Sequence, residues 1–461
     1  MRKIIKNGEI VTATEQFKGD ICIENGVVQE LALTIEPRHD DQIIDASGLF
    51  VLPGGIDAHT HLELPFMGTV SADDFETGTR AALCGGTTTI IDFVIPNKGQ
   101  DLKEAVEGWK EKARKSCCDY GFHIAITYFN DNVAAQIPAL VADGIPSFKA
   151  FLAYKGALQI SDDELLRLME AISGANGMLA LHAENGDVVA LKVQKLLAEG
   201  KTDPMYHPIS RPNEVEAEAT HRAIVMASML DVPIFFVHMT CKEALAEVKE
   251  ARARGQLVYA ETCPQYLLHD DSTAALPNFE GAKYIMSPPI RKKEDQEALW
   301  LGLQHGFIQT IGTDHCSFNF KGQKEMGLGD FSKIPNGSGG VGDRMWLMYT
   351  YGVGKKRFNL NKFVEVTATN PAKLFGLYPQ KGTISPGSDA DIVLWDPNAR
   401  HVISKDNMWH NVDHTIWEGF EIQGMPRTVL LRGQIAFDNG QFLLQRGCGN
   451  YLKRKPFAPL W

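Results

Sequence analysis

Between residues 52 and 313 the chain alternates short apolar runs with amphipathic stretches, and that alternation leaves few folds open. The apolar runs fall at 52–57, 88–94, 123–127, 147–151, 179–182, 234–238, 257–261 and 309–313. Helical patterns lie between them, for example over 163–172, 214–230 and 242–253, the last stopped by Gly255. Such alternation is the mark of parallel β/α units. Eight strands in about 270 residues match a closed (β/α)8 barrel in size. An open doubly wound sheet is the alternative, but no G-x-G-x-x-G follows a predicted strand to mark a dinucleotide site.

The two ends read differently from the middle. Short alternating runs occur at 3–5, 9–12, 20–24 and 27–31, and again at 390–395, 428–432, 434–438 and 441–444. Asn7-Gly8, Asn25-Gly26 and Asn439-Gly440 separate some of them. Asn-Gly between alternating runs is a strong hairpin signal, because a type I′ turn needs positive φ at both central residues. Both ends are therefore expected to form one discontinuous β-sandwich. The expected division of this α/β chain is 1–52 (sandwich), 53–378 (barrel) and 379–461 (sandwich and tail).

A formal net charge of -11 argues against nucleic-acid partners and anionic membrane surfaces. The N-terminus lacks an apolar h-region, and no apolar stretch is long enough to span a bilayer. The eight cysteines are scattered, with Cys117-Cys118 the only close pair and no CxxC. That pattern suits reduced thiols and predicts a cytoplasmic location. Cys241, Cys263 and Cys316 lie near the motifs below and read as buried fillers.

Chemistry enters at the ends of the predicted strands. His59 and His61, in Asp57-Ala58-His59-Thr60-His61, are two apart, so both imidazoles of a strand face one side. His182, His238 and Asp314 each terminate another apolar run. In a β/α barrel those strand ends converge on one face, where active sites lie. Imidazole and carboxylate groups gathered there suit zinc or similar divalent ions. Any one of these residues alone reads as an ordinary strand-end polar group, but four strand ends carrying ligand types are hard to assign to chance. Lys149 sits inside the apolar run Ser147-Phe148-Lys149-Ala150-Phe151, where an ammonium is costly to bury. A buried ion pair, an outward-facing side chain, or carboxylation to a metal-bridging carbamate would each account for it.

His59-x-His61, Lys149, His182, His238 and Asp314, in this order, resemble the amidohydrolase superfamily. Further stretches narrow the resemblance to its cyclic-amidase branch, the D-hydantoinases and dihydropyrimidinases. They are 54–61, Gly85-Gly86-Thr87-Thr88-Thr89, Glu261-Thr262-Cys263-Pro264-Gln265-Tyr266, Met286-Ser287-Pro288-Pro289 and Gly312-Thr313-Asp314-His315-Cys316. The resemblance covers essentially the whole chain. It implies two divalent ions per subunit, zinc first, with manganese or cobalt as alternatives. His59, His61 and Asp314 would hold one, His182 and His238 the other, and Lys149, carboxylated by CO2, would bridge them. A hydroxide between the ions would attack the scissile carbonyl, with Asp314 as proton shuttle, opening the ring to an N-carbamoyl amino acid. Tyr154 matches an oxyanion-supporting position, and the backbones of Ser287 and Asn336 match positions that pair with the imide edge of a cyclic imide or ureide.

Leu64, Phe151 and Leu158 match an apolar gate over the ring substituent, with Leu158 standing where a phenylalanine can occur. The tail 451–457 is apolar and basic, like family tails that pack on a neighbour, so a homotetramer or homodimer is expected. Leu62-Glu63-Leu64-Pro65 after the first motif discourages the anionic substrate of a dihydroorotase, and Lys149 argues against a deaminase. Allantoinase is the alternative within the superfamily. A non-catalytic scaffold like the collapsin response mediator proteins is the alternative outside catalysis, although every ligand position is filled.

Overall fold

The computed structural model of the chain describes residues 2–460. Its middle is a barrel of eight strands: β1 (Gly55–Thr60), β2 (Thr87–Val94), β3 (Asp119–Ile126), β4 (Ser147–Phe151), β5 (Met178–His182), β6 (Ile234–Phe236), β7 (Val258–Thr262) and β8 (Thr310–Ile311). Each pairs with its sequence neighbour, and all pairs are parallel. A parallel bridge from Thr60 to His315 joins the first strand to the chain beyond the last. Every residue of these strands is buried, as expected when a parallel sheet is covered on both faces. Helices supply the outer layer. In the helix Asp162–Gly174, Leu165, Leu168, Met169 and Ile172 are buried at i, i+3, i+4 and i+7, the apolar stripe of an amphipathic helix. Glu164 closes its capping box with Ser161.

Two expected barrel strands are shorter in the structure. The run 234–238 ends as a strand at Phe236, and 309–313 pairs only over Thr310–Ile311. The reason is local: His238 has φ 37° and Asp314 φ 53°, so the backbone curls out of the ladder at both predicted ligand positions.

The chain ends meet in a separate nine-stranded sheet. It is one forked sheet: Lys3–Val11 pairs in parallel with Gln42–Asp45 over its first half and with Phe50–Pro53 over its second. Ile5, Ile10, Ile21, Val51, Ile392 and Leu394 share its core. Asn25-Gly26 and Asn439-Gly440 are hairpin turns as expected, with positive φ at both residues of each. Asn7-Gly8 is not. Lys3–Val11 is one continuous strand, and Asn7, at φ 63°, forms a bulge in it. The bulge is held by the Asn7 amide donating to Asp20 Oδ1 at 3.0 Å. Gly8 is needed there because a Cβ would come within 2.3 Å of Val51 Cγ2.

The tail 451–460 closes the end of the barrel opposite the strand C-termini. Leu452, Arg454 and Lys455 donate backbone hydrogen bonds to Tyr120, Gly144 and Gly376 of the same chain. Arg454 is buried, its guanidinium donating to the Phe122 carbonyl and to Ser147 Oγ at 2.7 Å. Among the described residues no helix is long and apolar enough to cross a membrane.

Sheet and barrel are tied by a buried charge cluster. The Lys381 ammonium lies 2.5 Å from Asp119 at the start of β3, 2.7 Å from Asp391 and 2.9 Å from Asp389. Burial lowers its pKa, but Asp391 and Asp389 outweigh burial and raise it above 10.5. The ammonium's contribution is thus complete at neutral pH and is lost as pH rises through its folded-state pKa, above 10.5. Lys381→Met should destabilise the protein by about 3–5 kcal/mol, the cost of leaving buried carboxylates unpaired. A denaturation midpoint equal to wild type would contradict this link.

Candidate active site

The rim of the barrel where the strands end opens into a cavity of about 450 Å³, counting its entrance. His61, Lys149, His182, His238 and Asp314 line it, together with Tyr154, Ser287 and Asn336. Leu64, Phe66, Phe151 and Leu158 form apolar wall. His59 lies behind these, fully buried. Thus all the sequence-predicted site residues come together, having been scattered over 278 positions from His59 to Asn336 counted inclusively.

Their contacts are close. His59 Nε2 and His61 Nε2 each lie 3.1 Å from Asp314 Oδ1. The ligand atoms of these three residues lie within 4.8 Å of one another. Lys149 Nζ is 3.0 Å from His59 Nε2, and His182 Nδ1 is 3.0 Å from His238 Nε2. In the barrel register Lys149 lies between Ala125 and Ala180, small neighbours that leave room along the sheet for its long side chain.

Two carboxylates that sequence reading left without a role decide which nitrogens face the cavity. Glu261 lies 2.6 Å from His59 Nδ1, and Glu184 lies 2.7 Å from His182 Nε2. Burial would raise the Glu184 pKa, but Arg211, at 2.6 Å, and His182 pull it down to about 2. The ionised Glu184 carboxylate only accepts, so His182 carries its proton on the outer nitrogen, Nε2. The inner nitrogen of His182, Nδ1, then presents a lone pair, whereas burial and Lys149 lower the His59 pKa but Asp314 and Glu261 outweigh them and raise it above 6.5. Burial holds His61 neutral, at about 4. This is the donor set a divalent cation takes: clustered imidazoles, two of them with outer nitrogens anchored by carboxylates, beside the Asp314 oxygen. The residues fit a metal centre. Glu184, two positions beyond His182, was visible as an acid near a predicted ligand. Glu261 ends its own apolar run just as the ligands do.

Burial also pulls the Lys149 ammonium down to about 8, with Asp314 and Glu261 opposing. It lies over the Phe93 ring, 4.3 Å from the centroid. Neither an ion pair at hydrogen-bond distance nor an outward-facing side chain accounts for it: it lines the cavity. Tyr154 takes φ 67° and faces Ser287 and Asn336. Burial pushes its hydroxyl up to about 12, against the pull of Arg211, so it stays a donor. Asn336 Nδ2 donates to Ser287 Oγ at 2.9 Å. Phe66, absent from the expected gate, meets the Tyr154 ring edge-on at 5.7 Å. Cys316, expected to be mere filler, also lines the cavity. Cys241 and Cys263 are buried thiols.

A (β/α)8 barrel with histidines, a lysine and an aspartate at its strand ends defines the class of barrel metal-site hydrolases. Residues 50–436 match the model of the amidohydrolase family. A D-hydantoinase of Geobacillus stearothermophilus is 47% identical over 462 aligned residues, covering 100% of this chain and 98% of that one. A dihydropyrimidinase of Dictyostelium discoideum is 41% identical, covering 99% and 92%. The crystal structure of dihydropyrimidinase from Brevibacillus agri superposes with a TM-score of 0.98 at 46% identity, covering 99% and 100%. The chain belongs to the amidohydrolase family, in its cyclic-amidase branch of hydantoinases and dihydropyrimidinases.

Glu184→Gln should weaken metal binding by about 10–100-fold, since the amide no longer fixes the His182 tautomer. Competition with a graded series of chelators measures this. Wild-type affinity in that variant would mean that Glu184 serves only Arg211.

Proposed function

We propose that this protein hydrolyses the ring amide of hydantoins or dihydropyrimidines to N-carbamoyl amino acids, using two divalent ions, zinc first. The observation that carries the reading is one cavity lined by both ligand-type residues and imide-facing ones. His59, His61 and Asp314 would hold one ion, His182 and His238 the other, with carboxylated Lys149 shared between them. When bound, the ions supply an activated water and polarise the carbonyl.

The chain's own residues do the rest. Tyr154, protonated at neutral pH, donates to the oxygen that gains charge as water adds to the ring carbonyl. The Ser287 and Asn336 backbones hold the imide edge and so fix which carbonyl is presented. Asp314 accepts the proton of the attacking water and hands it to the ring nitrogen as the carbon–nitrogen bond breaks. One product end is a carboxylate and the other a carbamoyl amide, so the atoms of one water are accounted for.

Several further readings belong to the same proposal. Free thiols throughout support a cytoplasmic location. A homotetramer or homodimer rests on the family resemblance. The two-sheet architecture supports the division 1–52, 53–378 and 379–461. The deciding experiment is a panel of dihydrouracil, substituted hydantoins, allantoin and dihydroorotate on metal-replete protein. Turnover of the first two classes is expected. Preference for allantoin would overturn the substrate assignment, and no turnover at all would favour a scaffold.

Lys149→Ala should lose most bound metal and most activity, with small carboxylic acids restoring part of both. Full metal content by elemental analysis, with normal turnover, would sink the carbamate. Leu158→Phe should shift kcat/KM between phenyl- and methyl-substituted hydantoins and leave dihydrouracil nearly unchanged. An equal factor on every substrate would make Leu158 structural.

A further inference from the structure

Lys324 is fully buried, yet it has no carboxylate partner among the described residues. It opens the short turn Lys324–Gly327, outside the metal-type cluster. Its Nζ donates to three backbone carbonyls: Ile285 at 2.9 Å, Pro335 at 2.7 Å and Gly337 at 2.7 Å. Burial pulls the group down to about 7, and three carbonyls at one nitrogen favour the charged form, which has a hydrogen for each.

The identity of those carbonyls matters. Ile285 stands two residues before Ser287, and Pro335 and Gly337 flank Asn336. Ser287 and Asn336 both line the cavity. The two segments are otherwise cross-linked by the Gly337 amide donating to Ile285 O at 3.0 Å and by Asn336 Nδ2 donating to Ser287 Oγ at 2.9 Å. With the Pro335 and Gly337 carbonyls both held by the ammonium, the Asn336 residue between them is fixed where it borders the cavity.

We propose that Lys324 is a positioning residue: its ammonium gathers the Ile285 and Pro335–Gly337 carbonyls and thereby sets the spacing of the Ser287 and Asn336 backbones that grip the substrate's imide edge. The inference rests on the imide-binding role proposed above. The half of the imide edge that is not attacked keeps its bonding through the reaction, so a grip on it acts on ground state and transition state alike. Its loss raises KM and leaves kcat.

The test is steady-state kinetics of Lys324→Met and Lys324→Gln on dihydrouracil and unsubstituted hydantoin, with metal content and Tm measured alongside. Lys324→Met should raise KM by about tenfold or more, the scale of one lost hydrogen-bonded contact, with kcat within about threefold and metal content unchanged. Lys324→Gln, which keeps part of the donor set, should fall between. A residue that merely stabilised the fold would lower Tm, metal content and kcat without a selective rise in KM. An unchanged KM, or a fall in kcat alone, overturns the assignment. If Lys324→Met does not fold, Lys324→Gln carries the same KM test, and loss of fold in both would make Lys324 a stability element and overturn the proposal. Wild type that opens neither ring overturns the proposed function itself. Wild type that opens both beside an unaffected variant overturns only the role of Lys324.

Discussion

Parallel closure of the barrel is the constraint on which the site depends. Because all eight strands run the same way, each delivers its last residues to the same rim. The bridge between Thr60 and His315 brings the first strand against the segment after the last. It thereby sets His59 and His61 beside Asp314, residues far apart in the chain. A single antiparallel strand in this order would send its ligand to the opposite end, where the C-terminal tail lies.

Convergence at the rim is not sufficient, and the backbone departs from regular geometry where the chemistry sits. Tyr154, His238 and Asp314 all take positive φ. Such conformations cost about 1–3 kcal/mol each in non-glycine residues and persist only where surroundings impose them. The surroundings are visible. The Tyr154 carbonyl accepts from the amides of Ala157 and Leu158, winding the loop around it. Beside His238, the Met239 amide donates to Glu261 O at 2.7 Å. Asp314 sits between Thr313, whose hydroxyl donates to Asp57, and His315, whose ring meets Asp73. The strained corners aim side chains across the cavity that a straight strand would point elsewhere.

Buried charge in this molecule is handled in three ways. Lys381 meets carboxylates, Lys324 meets carbonyls, and Lys149 meets neither among the contacts at its nitrogen except a histidine lone pair. Burial pulls both Lys324 and Lys149 toward the neutral form, but Lys324 has three carbonyl oxygens at its nitrogen where Lys149 has a ring nitrogen. That contrast, within one chain, supports the proposed carboxylation of Lys149, while Lys381 ties sheet to barrel and Lys324 holds the backbone beside Ser287 and Asn336.

Much of this was legible in the chain itself. Period and run length marked the barrel strands, and ligand types at their ends marked the candidate metal residues, because both signals are local and repeat. Asn25-Gly26 and Asn439-Gly440 were readable as turns for the same reason. Asn7-Gly8 carried an identical signal but became a bulge, since the strand there has partners on both sides and does not reverse. Glu184 and Glu261 showed only as acids at or near strand ends, and Phe66 and Lys324 not at all, for the roles of all four lie in what they face and not in their neighbours along the chain. Sequence alone determined the strand order, the ligand types and their place at strand ends, since these follow from hydrophobic period and residue chemistry. Only the tertiary structure decided which nitrogen of each histidine turns inward, which aromatic rings wall the cavity, and which carbonyls a buried ammonium gathers. Those depend on distances between segments that share no sequence signal, set by how the closed barrel brings its loops together.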